Sequence, residues 1–150
     1  MIGAVPAWPR WLGPAGLLPQ FACLAVLWFG PDGWRWTGQA LAWAYAALIF
    51  SFLGGLWWGI AASRQREGER VPRWLWAASV MPSLIAFMSF VPWVFGAAWP
   101  EPSLMVLGIA IVASLWVDRR IAPSAPAWWM ALRIPLSLGL GGASVLIALA

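Results

Sequence analysis

The sequence contains no histidine and no lysine, and its one cysteine is Cys23. Without a His or Cys set, the usual ligands for haem, zinc or an iron–sulfur cluster are missing. A lone cysteine excludes an internal disulfide, and within its apolar run Cys23 reads as a small buried hydrophobe. There is also no phosphate-cradling glycine loop ending in lysine and no nucleophile–base pair. Charged residues make up 9% of the chain, against roughly 25% in soluble proteins. The expectation from these absences is a protein that is not an enzyme, holds no metal and needs no cofactor.

Apolar residues fill the space, at 63% of the chain. Between Arg35 and Arg64 lie 28 residues without an Asp, Glu, Lys, Arg or His, and between Arg73 and Glu101 another 27. At 1.5 Å of rise per residue, either stretch crosses a hydrocarbon core roughly 30 Å thick. The apolar runs are continuous rather than alternating, so a β-barrel with a polar lumen does not fit. The pattern predicts an all-α fold, one transmembrane domain over residues 1–150. Its five spans lie at about 12–30, 38–63, 74–95, 103–117 and 127–150. Pro14 falls in the first turn of the first span and Pro19 is a predicted kink.

All nine basic residues are arginines, and the net charge is +4. They sit in short loops beside apolar spans, which points to topology and lipid headgroups rather than nucleic acid. The second loop carries Arg64, Arg66, Arg70 and Arg73. Arg119 and Arg120 open the fourth, and Arg10 precedes the first span. The opposite side has Arg35 alone, with Arg133 left aside. By the positive-inside rule the N-terminus is predicted to be cytoplasmic and the C-terminus outside. A bacterial inner membrane, crossed several times, is the expected location, and the bilayer is the first partner.

Fifteen tryptophans are the other excess. Trp34, Trp36, Trp74, Trp76, Trp99, Trp116, Trp128 and Trp129 fall near predicted span ends, where an indole buries its rings and keeps its N–H near water. Trp43, Trp57, Trp58 and Trp93 lie deeper. They are candidates for lining a cavity between helices or stacking on a flat ligand, against a plain lipid-facing role.

Within the second span, Ser51, Gly55 and Gly59 recur every four residues and share one face. Such a small-residue face lets another backbone approach closely. Packing is its expected role, and Gly55→Leu is then expected to disturb folding or assembly. The functional alternative is a notch at Gly54 and Gly55, with Ser51 and Tyr45 as hydrogen-bonding groups. Gly139, Gly141, Gly142 and Ala143 offer a second close-packing surface in the last span.

The run Ser-Phe-Leu-Gly-Gly-x-x-Trp-Gly, from Ser51 to Gly59, precedes a late Trp-x-x-x-Leu-Arg-x-Pro-Leu, from Trp128 to Leu136. Together they resemble an uncharacterised bacterial inner-membrane family, domain of unknown function 3429, which is similar to the mitochondrial transmembrane protein 69. The resemblance covers nearly the whole chain and implies the five-span layout and a membrane location, but no activity. Members of that family often carry a polar residue such as His just before the motif's Trp. This chain has Trp57 there, so the resemblance implies that any chemistry of that polar residue is lost.

Arg133 lies inside the last apolar segment, two residues before Pro135. A charge in a span costs from about 3 kcal/mol upward unless it snorkels or pairs. Asp118 and lipid phosphate are both within its predicted reach, so pairing and binding of an anionic headgroup both stand as readings. The carboxylates Asp32, Glu67, Glu69, Glu101 and Asp118 all fall in predicted loops, which argues against a proton relay. Five spans give no even duplication, so an inverted-repeat carrier is not expected. The expected function is a non-catalytic accessory subunit, or an assembly or stabilising factor, of a respiratory or photosynthetic membrane complex. Its partners would be other membrane-protein subunits or a second copy of itself. The alternative is a protein that binds or moves a lipid, quinone or other small apolar ligand near Tyr45, Trp57, Trp58 and Arg133.

Overall fold

Helices follow the apolar runs because a backbone in hydrocarbon must satisfy its own N–H and C=O groups, and a helix does so within one segment. A computed structural model describes residues 5–68 and 70–150. Glu69, one of the acids expected in the second loop, lies outside the described residues. The helices are α1 (Ala7–Ala15), α2 (Leu18–Phe29), α3 (Arg35–Arg66), α4 (Arg73–Val94), α5 (Glu101–Ala113), α6 (Leu115–Ile121) and α7 (Trp129–Leu149). A single 3₁₀ turn, Ala122–Ser124, leads from α6 towards α7. No strand occurs among the described residues.

Among the described residues, four helical segments are long and apolar enough to cross a membrane: Ala7–Phe29, Arg35–Arg66, Arg73–Val94 and Trp129–Leu149. The first starts at Ala7 rather than near residue 12. Its discontinuity falls at Gly16–Leu17, ahead of Pro19, which occupies the first turn of α2, where a missing N–H is harmless. The expected fourth span, 103–117, is drawn as two pieces, α5 and α6, separated at Ser114. Together they cover 101–121, enough for roughly 30 Å of rise. Pro135 neither starts nor ends α7, which runs through it.

Contacts fix the relative directions. Gly13 lies against Leu132 and Leu136, Leu17 against Gly139, and Gln20 reaches Ser144, so α1–α2 ascends beside α7 in the same sense. α3 returns antiparallel to α2, with Gly38 against Leu27, and α4 reverses again, with Trp43 bonding Ser89. α5–α6 descends against α7, placing Leu104 with Ile147 at one end and Asp118 with Arg133 at the other. The chain therefore traverses the bundle five times. The Arg-bearing α3–α4 turn lies at the end of α3 that follows Trp57, and Arg119 and Arg120 follow Asp118.

α3 is the axis of the core, contributing Ala46, Ala47, Phe50, Leu53, Trp57 and Ala61 to one buried cluster. Two crossings depend on missing side chains. A Cβ on Gly54 would stand 2.3 Å from the Ser79 carbonyl oxygen of α4. A Cβ on Gly108 or on Gly141 would stand 2.7 Å from the other residue's carbonyl oxygen, so α5 and α7 meet backbone to backbone. Outward-facing residues are large and apolar, among them Phe52, Phe87, Met88 and Leu138, as a lipid-facing surface requires.

Candidate functional site

Along α7, Trp129, Arg133 and Ser137 recur at intervals of four and therefore lie on one face. That face turns towards α6, where Asp118 is fully buried at 0% exposure. Arg133 Nε donates to Asp118 Oδ2 at 2.9 Å, and Arg133 Nη2 donates to Ser137 Oγ at 2.9 Å. The other carboxylate oxygen, Oδ1, accepts the indole N–H of Trp57 at 3.0 Å and that of Trp129 at 3.2 Å. Three donors from two other helices thus converge on one carboxylate. A buried ion pair is tolerable only when its remaining polar atoms are satisfied in this way.

Asp118 had been expected in a loop. The structure corrects that: it belongs to the first turn of α6, which brings it inside the bundle while Arg119 and Arg120 stay exposed. Arg120 instead lies over the ring of Trp116, 4.2 Å from its centroid. Of the two readings of Arg133, the geometry places it in the ion pair, with its side chain only 12% exposed.

The four residues proposed as ligand contacts do not form one group. Trp57 and Arg133 meet through Asp118. Trp58 is half exposed and packs edge-on against Trp76. Tyr45 donates its hydroxyl to the Gly16 carbonyl oxygen, bracing the α1–α2 break. Trp57, at the position where the resembled family often carries a polar residue, donates its indole N–H to Asp118. Ser137 and Trp129 were missed as partners, although their spacing to Arg133 carried the signal.

The small-residue positions divide as well. Gly54 packs α3 on α4 and Gly139 receives Leu17, as close approaches. Among the described residues, nothing beyond the helix's own adjoining backbone lies within 4 Å of a Cβ on Gly55, Gly59 or Gly142. Their expected packing role therefore has no partner inside this fold, because these positions turn away from the neighbouring helices. Ser51 is half-buried at the edge of the same α3 face.

Beside the ion pair, α1, α3 and α7 leave a cavity of about 450 Å³. Its wall is carbon from Leu12, Phe52, Leu56, Leu132 and Leu136, with Arg133 and Ser137 as its aliphatic polar groups. Leu12 and Phe52 are each 63% exposed, so the cavity opens sideways to the lipid. At the opposite end of the bundle Trp43 stacks on Phe90 at 5.2 Å, within a cluster that also holds Trp36, Trp93 and Trp99. Among the described residues no group of three or more His, Cys, Asp or Glu side chains is placed to hold a metal.

The model of the family described as "protein of unknown function (DUF3429)" matches residues 5–150. Transmembrane protein 69 of Xenopus tropicalis is 33% identical over 131 residues, which is 85% of this chain. Those residues are 48% of the frog protein, so the chain spans about half the length of that curated relative. No solved structure matches the chain.

Proposed function

The chain belongs to the DUF3429 family, as a multi-pass membrane protein related to transmembrane protein 69, and on that premise we propose that it is non-catalytic and serves as an accessory subunit or assembly factor. Its place, on this proposal, is a bacterial inner membrane, beside a larger respiratory or photosynthetic complex. The observation that carries this reading is the outward face of α3. Gly55 and Gly59 each cost a helix about 0.8–1.0 kcal/mol relative to Ala. Among the described residues no contact offsets that cost, since both positions are open. A helix of another subunit, seated on Ser51, Gly55 and Gly59, supplies the missing contact. The non-catalytic part is supported by the ion pair, whose carboxylate is engaged by three donors.

Gentle extraction of the native membrane followed by mass analysis of the intact assembly tests the proposal. Wild-type protein is expected to migrate with stoichiometric partners, and Gly55→Leu with Gly59→Leu to fold yet migrate alone. A doubly substituted protein that kept the same partners would contradict it. The cavity beside Arg133 favours a second reading, the holding of a small apolar ligand.

A further inference from the structure

We infer that the cavity between α1, α3 and α7 takes an uncharged apolar molecule that presents a carbonyl oxygen to Arg133, and not an anion. The inference rests on the ligand-holding reading and adds the chemical class of the ligand. The volume, about 450 Å³, lies within the roughly 300–1,000 Å³ usual for small-molecule sites. Its wall is mostly apolar, and Arg133 and Ser137, joined at 2.9 Å, stand on it beside the Trp128 and Trp129 indoles.

Charge decides which polar group belongs there. Asp118 already neutralises Arg133 at 2.9 Å, so the pair carries no net charge. An anionic headgroup entering the cavity would add an unbalanced charge in a medium that hydrates it poorly. A neutral acceptor brings no such cost. The bonds to Asp118 and Ser137 use Nε and one hydrogen of Nη2, out of the five N–H donors of a guanidinium. The remaining donors suit a carbonyl oxygen, and the carbon walls suit a chain or ring behind it. The sideways opening at Leu12 and Phe52 lets such a molecule enter from the bilayer. Two sources share this chemistry: the ring carbonyl of a quinone and the ester carbonyl of a glycerolipid.

Delipidated full-length protein in detergent is incubated separately with decylubiquinone, methyl oleate and oleate at pH 9, and bound mass is read by native mass spectrometry. One equivalent of a carbonyl probe is expected, with oleate held more weakly by about tenfold or more, because its charge has no counter-charge left in the cavity. Preference for decylubiquinone over methyl oleate identifies a quinone site, and the reverse a lipid ester site. Leu136→Trp, which fills the cavity without touching the ion pair, is expected to abolish binding of all three probes. Asp118→Asn with Arg133→Met removes the guanidinium without orphaning a charge, and is expected to weaken binding of the carbonyl probe by about tenfold or more, the worth of one charge-assisted hydrogen bond, while leaving a folded protein. Equal or tighter binding of oleate by the wild type overturns the ligand class but leaves the cavity reading standing. Binding unaffected by Leu136→Trp, or no binding at all, overturns the cavity reading itself and leaves annular lipid only.

Discussion

Asp118 Oδ2 and Arg133 Nε stand 2.9 Å apart, fifteen residues apart in sequence, and tie α6 to α7 at the arginine-bearing end of the bundle. Around them the Trp57 and Trp129 indoles close the remaining oxygen from solvent and lipid alike. The bond joins the fourth and fifth crossings, and Trp57 extends it to the second. A charge that composition alone would place in a loop is thus the point where three crossings meet.

Trp57→Phe keeps an aromatic ring in a position that is 2% exposed but removes the N–H to Asp118. A hydrogen bond to a charged acceptor is worth about 1.5–3 kcal/mol, and the loss should approach that range. Thermal unfolding in detergent reads it. Trp57→His should recover part of the difference, since an imidazole restores a donor.

The α5–α7 crossing should reject any enlargement at its centre. Gly108→Val places carbon where Gly141 O already stands 2.7 Å from a Cβ, and overpacking of this kind costs about 1–3 kcal/mol or more. Gly142→Ala is the control. It meets nothing within 4 Å, and should be neutral or stabilise the helix by up to about 1 kcal/mol. The two variants separate the Gly108–Gly141 backbone contact between α5 and α7 from Gly142, a glycine of α7 that lies outside it.

The loop arginines predict a topology. In a Cys23→Ser background, single cysteines at Asp32 and at Glu67 occupy exposed sites at opposite ends of the bundle. A membrane-impermeant maleimide added to intact cells should label the Asp32 site and spare the Glu67 site. The opposite pattern would reverse the orientation that the positive-inside rule assigns.

The membrane-spanning character of α3, α4 and α7 was legible from hydropathy, because uninterrupted apolar runs of that length have one economical solution in lipid. The place of Asp118 was not. Followed by Arg119 and Arg120, it looked like part of a solvated charged loop, and only the α6 turn puts its side chain on the opposite face from theirs. Gly54 and Gly55 show a related limit. Both belong to the same small-residue run, yet one full backbone contact falls on Gly54, while Gly55 is open. Adjacent positions differ by about 100° around a helix, so composition finds the run and only packing chooses the face. For Arg133, Ser137 and Trp129 the four-residue spacing was readable, but their common partner lay on another helix.

A double-mutant cycle on Asp118 and Arg133 bears most directly on the buried pair. Asp118→Asn and Arg133→Gln should each lower stability by about 3–5 kcal/mol, because each leaves its partner charged and uncompensated. Unfolding in detergent should find the combined variant less destabilised than the sum of the two, by a coupling of about 1–3 kcal/mol. Strict additivity, within about 0.5 kcal/mol, would mean that the two side chains do not meet inside the membrane, and would contradict the account.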